Sequence, residues 1–173
     1  LAVAAYCATL FMPEKKYASG EDNDISAVAE KVMSNVLEVK CGSSIATGFV
    51  FKQKESRTFA VTCWHTVKSD PLSAEFRFSG KSEFVKDAEL IGFDPDYDVA
   101  VYEIAASGVF AEIKVNTAAK TGEEVFLLGN SKGDGIALFS GKVSVPDDIV
   151  LCADSAAGSN IDGKSLPAVR ITA

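Results

Sequence analysis

The chain has a single histidine, four cysteines and no Cys-x-x-Cys pair in its 173 residues. Zinc-site spacings therefore fail, and no metal or cofactor is expected. There is no block of lysine or arginine, and acidic residues outnumber basic ones for a net charge of −7. That argues against nucleic-acid or anionic-membrane partners, which need clustered cations. No apolar run reaches the roughly 20 residues of a membrane-spanning helix. The longest, Leu1 to Met12, ends at Pro13-Glu14-Lys15-Lys16. It reads as the rear of a signal peptide or anchor, or as an element packed on the body, and both readings stay open. No initiator methionine starts the chain, so a fragment or processed product is expected. The glycine-rich loop Gly129 to Gly135 lacks the G-x-x-x-x-G-K-(S/T) phosphate cradle, which removes nucleotide binding. Neither repeats nor low-complexity segments occur.

What is present is a globular composition, 47% hydrophobic, enough for one compact domain or two small ones. Tyr17 to Asn23 is a polar linker, and Asp24 or Ser26 can cap a helix. Ile25, Val28, Ala29, Val32 and Val36 then fall on one helical face. After them the period changes to two. Leu37, Val39 and Cys41 alternate with Glu38 and Lys40, which predicts a half-buried strand. A second strand covers Ile45 to Phe51, with Gly48 where a side chain would crowd a neighbour. Lys52 to Arg57 forms a charged hairpin tip, and a third strand runs from Thr58 to Cys63. Further short strands are expected around Phe76 and Phe78, from Leu90 to Phe93, and from Val99 to Ile104. Beyond a junction between Ala105 and Thr121 come Glu123–Leu128, Ile136–Val145 and Ile149–Ala153, the last two separated by Pro146-Asp147-Asp148. Many short strands with regular turns predict an all-β fold.

The third strand delivers His65 at its end, and Asp98 opens the strand that begins at Val99. A carboxylate that accepts the N–H of an imidazole fixes its tautomer and steadies the imidazolium. Asp94 and Asp96 are the rivals of Asp98, but they flank Pro95 in a turn, where aspartate serves local hydrogen bonding. Cys152 lies within an apolar strand, a poor place for a thiol nucleophile. The four cysteines are compatible with one disulfide or with buried free thiols.

These residues resemble a family. Ala46-Thr47-Gly48-Phe49-Val50-Phe51 is similar to the G-S-G-F-V strand of trypsin-like serine proteases of the bacterial HtrA type, and Ala60-Val61-Thr62 with His65-Thr66-Val67 to their V-T-N-x-H-V turn. Asp96-Tyr97-Asp98-Val99-Ala100-Val101-Tyr102 is similar to the D-x-D-(L/V)-A-(V/L)-(L/Y) strand, whose second aspartate is the triad acid. Val125 to Ser131 resembles a V-x-x-(I/L)-G-(N/S)-P loop, and Ser140-Gly141-Lys142-Val143-Ser144 an S-G-x-V-S strand. The resemblance implies two antiparallel β-barrels, with a short N-terminal helix and an active site in the cleft between them. It divides the chain into an apolar segment and linker (1–23), a first barrel bearing His65 and Asp98 (24–110), and a second, incomplete barrel (111–173).

Two departures stand out. Cys63-Trp64 replaces the small residues usual before the histidine, and no G-x-S-G is found. The nearest nucleophile candidate is Ser159 in Ala156-Ala157-Gly158-Ser159-Asn160. In the favoured register, Val169 to Ala173 aligns with the strand before the nucleophile turn, so the serine follows Ala173. The resemblance thus implies a serine endopeptidase acting on polypeptides outside the cytoplasm. His65 is the base, Asp98 its orienting acid, and Ser159 or a later serine the nucleophile. The alternative is a non-catalytic protease-fold module with a binding, structural or assembly role.

Overall fold

A computed structural model describes residues 25–111, 113, 118–130, 135–151 and 165–172. Segment 1–23 therefore lies outside the described residues, as do Cys152 and Ser159.

Helix α1 (Ile25–Met33) carries Lys31 in its last turn, where a cation complements the helix dipole. Ala29 and Val32 are buried, as the helical spacing predicts. Val36 is also buried, but it opens strand β1 (Val36–Cys41) rather than extending the helix. Between them Asn35 is fully enclosed, its amide donating to the carbonyls of Val50 (2.9 Å) and Ala111 (3.0 Å) and its oxygen accepting from Ala111 N–H (2.8 Å). Every hydrogen bond these groups lose to water is thereby replaced.

β1 turns at Gly42, which has φ +59°, into β2 (Ser44–Lys54). The hairpin continues through Glu55 and Ser56 into β3 (Arg57–Cys63). The tip is tighter than the sequence pattern predicts, because the strands run through Lys54 and resume at Arg57. Gly48 behaves as expected: a Cβ there would meet Val61 O at 2.9 Å and Val39 Cγ2 at 3.0 Å. After the short helix α2 (Trp64–Val67) come β4 (Glu75–Phe78), β5 (Ala88–Asp94) and β6 (Val99–Ile104). All pair antiparallel in one six-stranded sheet of order β4-β1-β2-β3-β6-β5. Its core joins Leu37, Val39, Val50, Phe76, Tyr102 and Ile104, with the Phe76 and Tyr102 rings 4.9 Å apart.

The second sheet has strands β7 (Glu124–Asn130), β8 (Ile136–Leu151) and β9 (Ser165–Thr172). Here the sequence pattern needs correction. Pro146-Asp147-Asp148 does not divide two strands; β8 runs through, with register shifts against β9 between Val143 and Val145 and between Val145 and Asp148. A bulge absorbs a proline whose missing N–H would break a regular ladder.

The all-β class and its antiparallel strands are present, but among the described residues neither sheet closes into a barrel. Among the described residues, β4 and β5 form the two free edges of the larger sheet, which only the Phe76–Val85 bridge extends beyond β4. The smaller sheet, with three strands, is too narrow to close.

Candidate active site

β3 ends at Cys63, and the chain folds at once into α2, whose first turn closes through Lys68 N–H to Trp64 O (2.9 Å). This places Trp64 and His65 beside the start of β6, because Cys63 lies opposite Val99 in the β3–β6 ladder. Asp98 precedes Val99 and is 5% exposed. Its backbone has φ +56°, a left-handed conformation that aspartate enters more readily than most residues.

Hydrogen bonds join the two segments. Trp64 N–H donates to the Asp98 carbonyl at 3.1 Å. His65 N–H donates to Asp98 Oδ1 at 2.7 Å, and the imidazole Nδ1 lies 2.5 Å from Oδ2. A carboxylate only accepts, so Nδ1 carries the hydrogen and Nε2 is the ring nitrogen left to exchange a proton. One carboxylate thus grips both the backbone and the ring of the same histidine. Its burial is tolerable because charge-assisted bonds reach both oxygens. The histidine side chain is 30% exposed, so the ring meets solvent while its partner is sealed beneath it.

Of the sequence candidates, His65 and Asp98 are brought together. Asp94 is not part of the pair: its Oδ1 accepts the N–H groups of Asp96 (2.8 Å) and Tyr97 (3.2 Å), a local turn of the predicted kind. Ser159 lies outside the described residues. Cys63, His65 and Asp98 have ligand atoms within 4.8 Å of one another. Cys63 is in a disulfide, however, so it offers no thiolate to a metal. Cys41 is a buried free thiol.

The sequence pattern missed a second cluster. Glu38, expected to face water, is 6% exposed. Its Oε1 accepts from Arg77 at 2.7 Å and its Oε2 from Asn130 Nδ2 at 2.6 Å. Asn130 N–H donates to Thr47 Oγ1 (2.7 Å), and Asn130 Oδ1 accepts from Gly135 N–H (3.0 Å). Glu38 and Thr47 belong to the larger sheet and Asn130 to the smaller, so the cluster ties the sheets together. The alternation around Glu38 carries no mark that its outer face meets another sheet.

Known proteins resemble this chain in sequence and in fold. The family described as "Trypsin-like peptidase domain" matches residues 46–166. A curated relative, "Protease Do-like 1, chloroplastic" of Arabidopsis thaliana, is 33% identical over 113 residues, which is 64% of this chain and 24% of that protein. The chain thus spans about a quarter of that relative's length. Among solved structures, the Rv3671c protease in its inactive form superposes with a TM-score of 0.65 at 19% identity, over 83% of this chain and 68% of the other. An inactive serine-to-alanine mutant of Rv3671c from M. tuberculosis gives 0.61 at 20%, over 82% and 63%. At such identities the two structures speak for the fold alone. Among the described residues no helix is long and apolar enough to cross a membrane.

Proposed function

This chain belongs to the trypsin-like peptidase domain family, and from that premise we propose that it is part of a serine endopeptidase and carries the His–Asp pair. The observation that carries the reading is the doubly held histidine: Asp98 Oδ2 on Nδ1 and Asp98 Oδ1 on the His65 backbone. His65 Nε2 takes the proton from a serine hydroxyl as that oxygen attacks the scissile carbonyl. The same nitrogen then gives the proton to the leaving amine. Asp98 holds the tautomer and steadies the imidazolium. The nucleophile is Ser159 or a serine that follows β9 in the full-length protein. In this reading residues 24–110 carry the base and its acid, and 111–173 belong to the half that presents the nucleophile. The substrates are polypeptides. The place of action is outside the cytosol, which the Cys63 disulfide supports, since such bonds persist in oxidising compartments.

The test uses the full-length protein and a fluorophosphonate probe. Unsubstituted protein is labelled, and His65→Ala is not. Asp98→Asn labels roughly 10⁴-fold more slowly, the loss expected when the imidazole adopts the wrong tautomer. Labelling lost in Ser159→Ala assigns the nucleophile to Ser159, and labelling retained assigns it to another serine. A folded full-length protein that neither labels nor cleaves peptides would sink the endopeptidase reading and leave a binding module in its place.

A further inference from the structure

The Trp64 and Phe93 rings lie almost parallel, 13° apart with centroids separated by 4.2 Å. Trp64 is the residue whose N–H bonds the Asp98 carbonyl, and it immediately precedes His65. Phe93 sits on β5, the edge strand next to β6, and pairs with Ala100, two residues beyond Asp98. The stack therefore reaches from α2 to β5, and β6, which Asp98 precedes, lies in the sheet between β5 and β3, the strand that leads into α2.

α2 needs such a fastening. It has four residues, and its N-cap, Cys63, makes no side-chain capping bond. A helix this short has no stability of its own, so its position comes from what it touches. Its C-terminal part is anchored by Thr66 and Val67, both buried. Its N-terminal part, which carries the imidazole, is anchored by the disulfide at Cys63 and by the Trp64 ring. Phe93 is 55% exposed, so the stack withdraws little area from water. Its main effect is then on where α2 sits, with a small share in global stability.

We propose that the Trp64–Phe93 stack is a positioning device that holds the His65 turn against Asp98. The proposal rests on the endopeptidase reading for its consequence in turnover, but not for its geometry. With one histidine in the chain, a proton shared between Nδ1 and Oδ2 gives a single downfield signal in the proton NMR spectrum. That signal persists only while the pair stays closed to exchange with water. In Phe93→Ala and Trp64→Ala it broadens or vanishes, and in Trp64→Phe, which keeps a stacking ring, it remains. In the full-length protein the alanine variants lose roughly three- to tenfold in kcat with KM unchanged, the range expected of one aromatic pair. Melting temperatures of Phe93→Ala and the parent stay close. If Trp64→Ala does not fold, the half-exposed Phe93→Ala decides alone. A sharp downfield signal in folded Phe93→Ala overturns the proposal, and so does the lack of that signal in the unsubstituted protein. Absence of turnover with the signal present and stack-dependent would instead strike the endopeptidase reading and leave the positioning role standing.

Discussion

Asn130 donates to Glu38 across the two sheets at 2.6 Å, and the strength of this link follows from the surroundings. Asn130→Ala removes a donor to a charged acceptor, a loss of about 1.5–3 kcal/mol. The same change also removes the bond from Gly135 N–H, so the single variant overstates the pair. Glu38→Ala leaves a 6%-exposed Asn130 amide without its acceptor and costs about 1–3 kcal/mol. Arg77 is spared most of that penalty. Its side chain is 36% exposed, so its guanidinium returns to water, and it keeps the Phe84 ring at 4.7 Å. A double-mutant cycle cancels the Gly135 contribution and the cavity left by each truncation. The remaining coupling is expected at about 1.5–3 kcal/mol. Urea unfolding measures it. With a slope near 2 kcal/mol per molar, the single variants shift the midpoint by about 0.5–1.5 M. The double variant is then far more stable than the sum of the singles predicts. Additivity to within about 0.5 kcal/mol would refute the reasoning, because it would mean that the carboxylate and the amide act independently.

Three further outcomes are expected. Gly48→Ala puts a methyl 2.9 Å from the Val61 carbonyl and against two buried side chains, so thermal unfolding should show a loss of about 2–3 kcal/mol; an unchanged melting point would contradict the packing. Glu55 has φ +56° in its turn, and Glu55→Asn should raise stability by about 0.5–1 kcal/mol in denaturant titration, whereas a loss would place the turn elsewhere. Burial, with smaller contributions from Cys41 and Asp70, pushes the Tyr102 phenol upward from its usual 10.0. The unfolded phenol then ionises first. Stability from this group is complete below about pH 10 and is lost as pH rises toward the folded value, and Tyr102→Phe should flatten the alkaline limb of the stability curve.

The His65–Asp98 pair was legible because each member stands at a strand end that the sequence itself marks. A strand rich in small and β-branched residues ends at Cys63, a turn of aspartates precedes Val99, and one ladder joins them. The choice among three aspartates was legible for the same reason, since Asp94 caps its own turn. What escaped depends on distant partners. Glu38 looks like any outward residue of an alternating strand until β7 covers it. Val36 carries the helical spacing one turn too far: it opens β1 instead, buried in a cluster with Val32 of α1 and Leu128 of β7. Pro146 signals a break by its chemistry, yet bulges keep β8 continuous. Closure of a barrel depends on whether edge strands meet, and no residue pattern within β4 or β5 encodes that meeting.

Asp98 is held in a left-handed conformation that few side chains accept. Aspartate codons lie one base change from those of asparagine and glycine, the two other residues at ease there. A lineage released from proton transfer can therefore drift at this position without rebuilding its backbone. Asparagine or glycine at this position is therefore a change that the surrounding architecture accommodates.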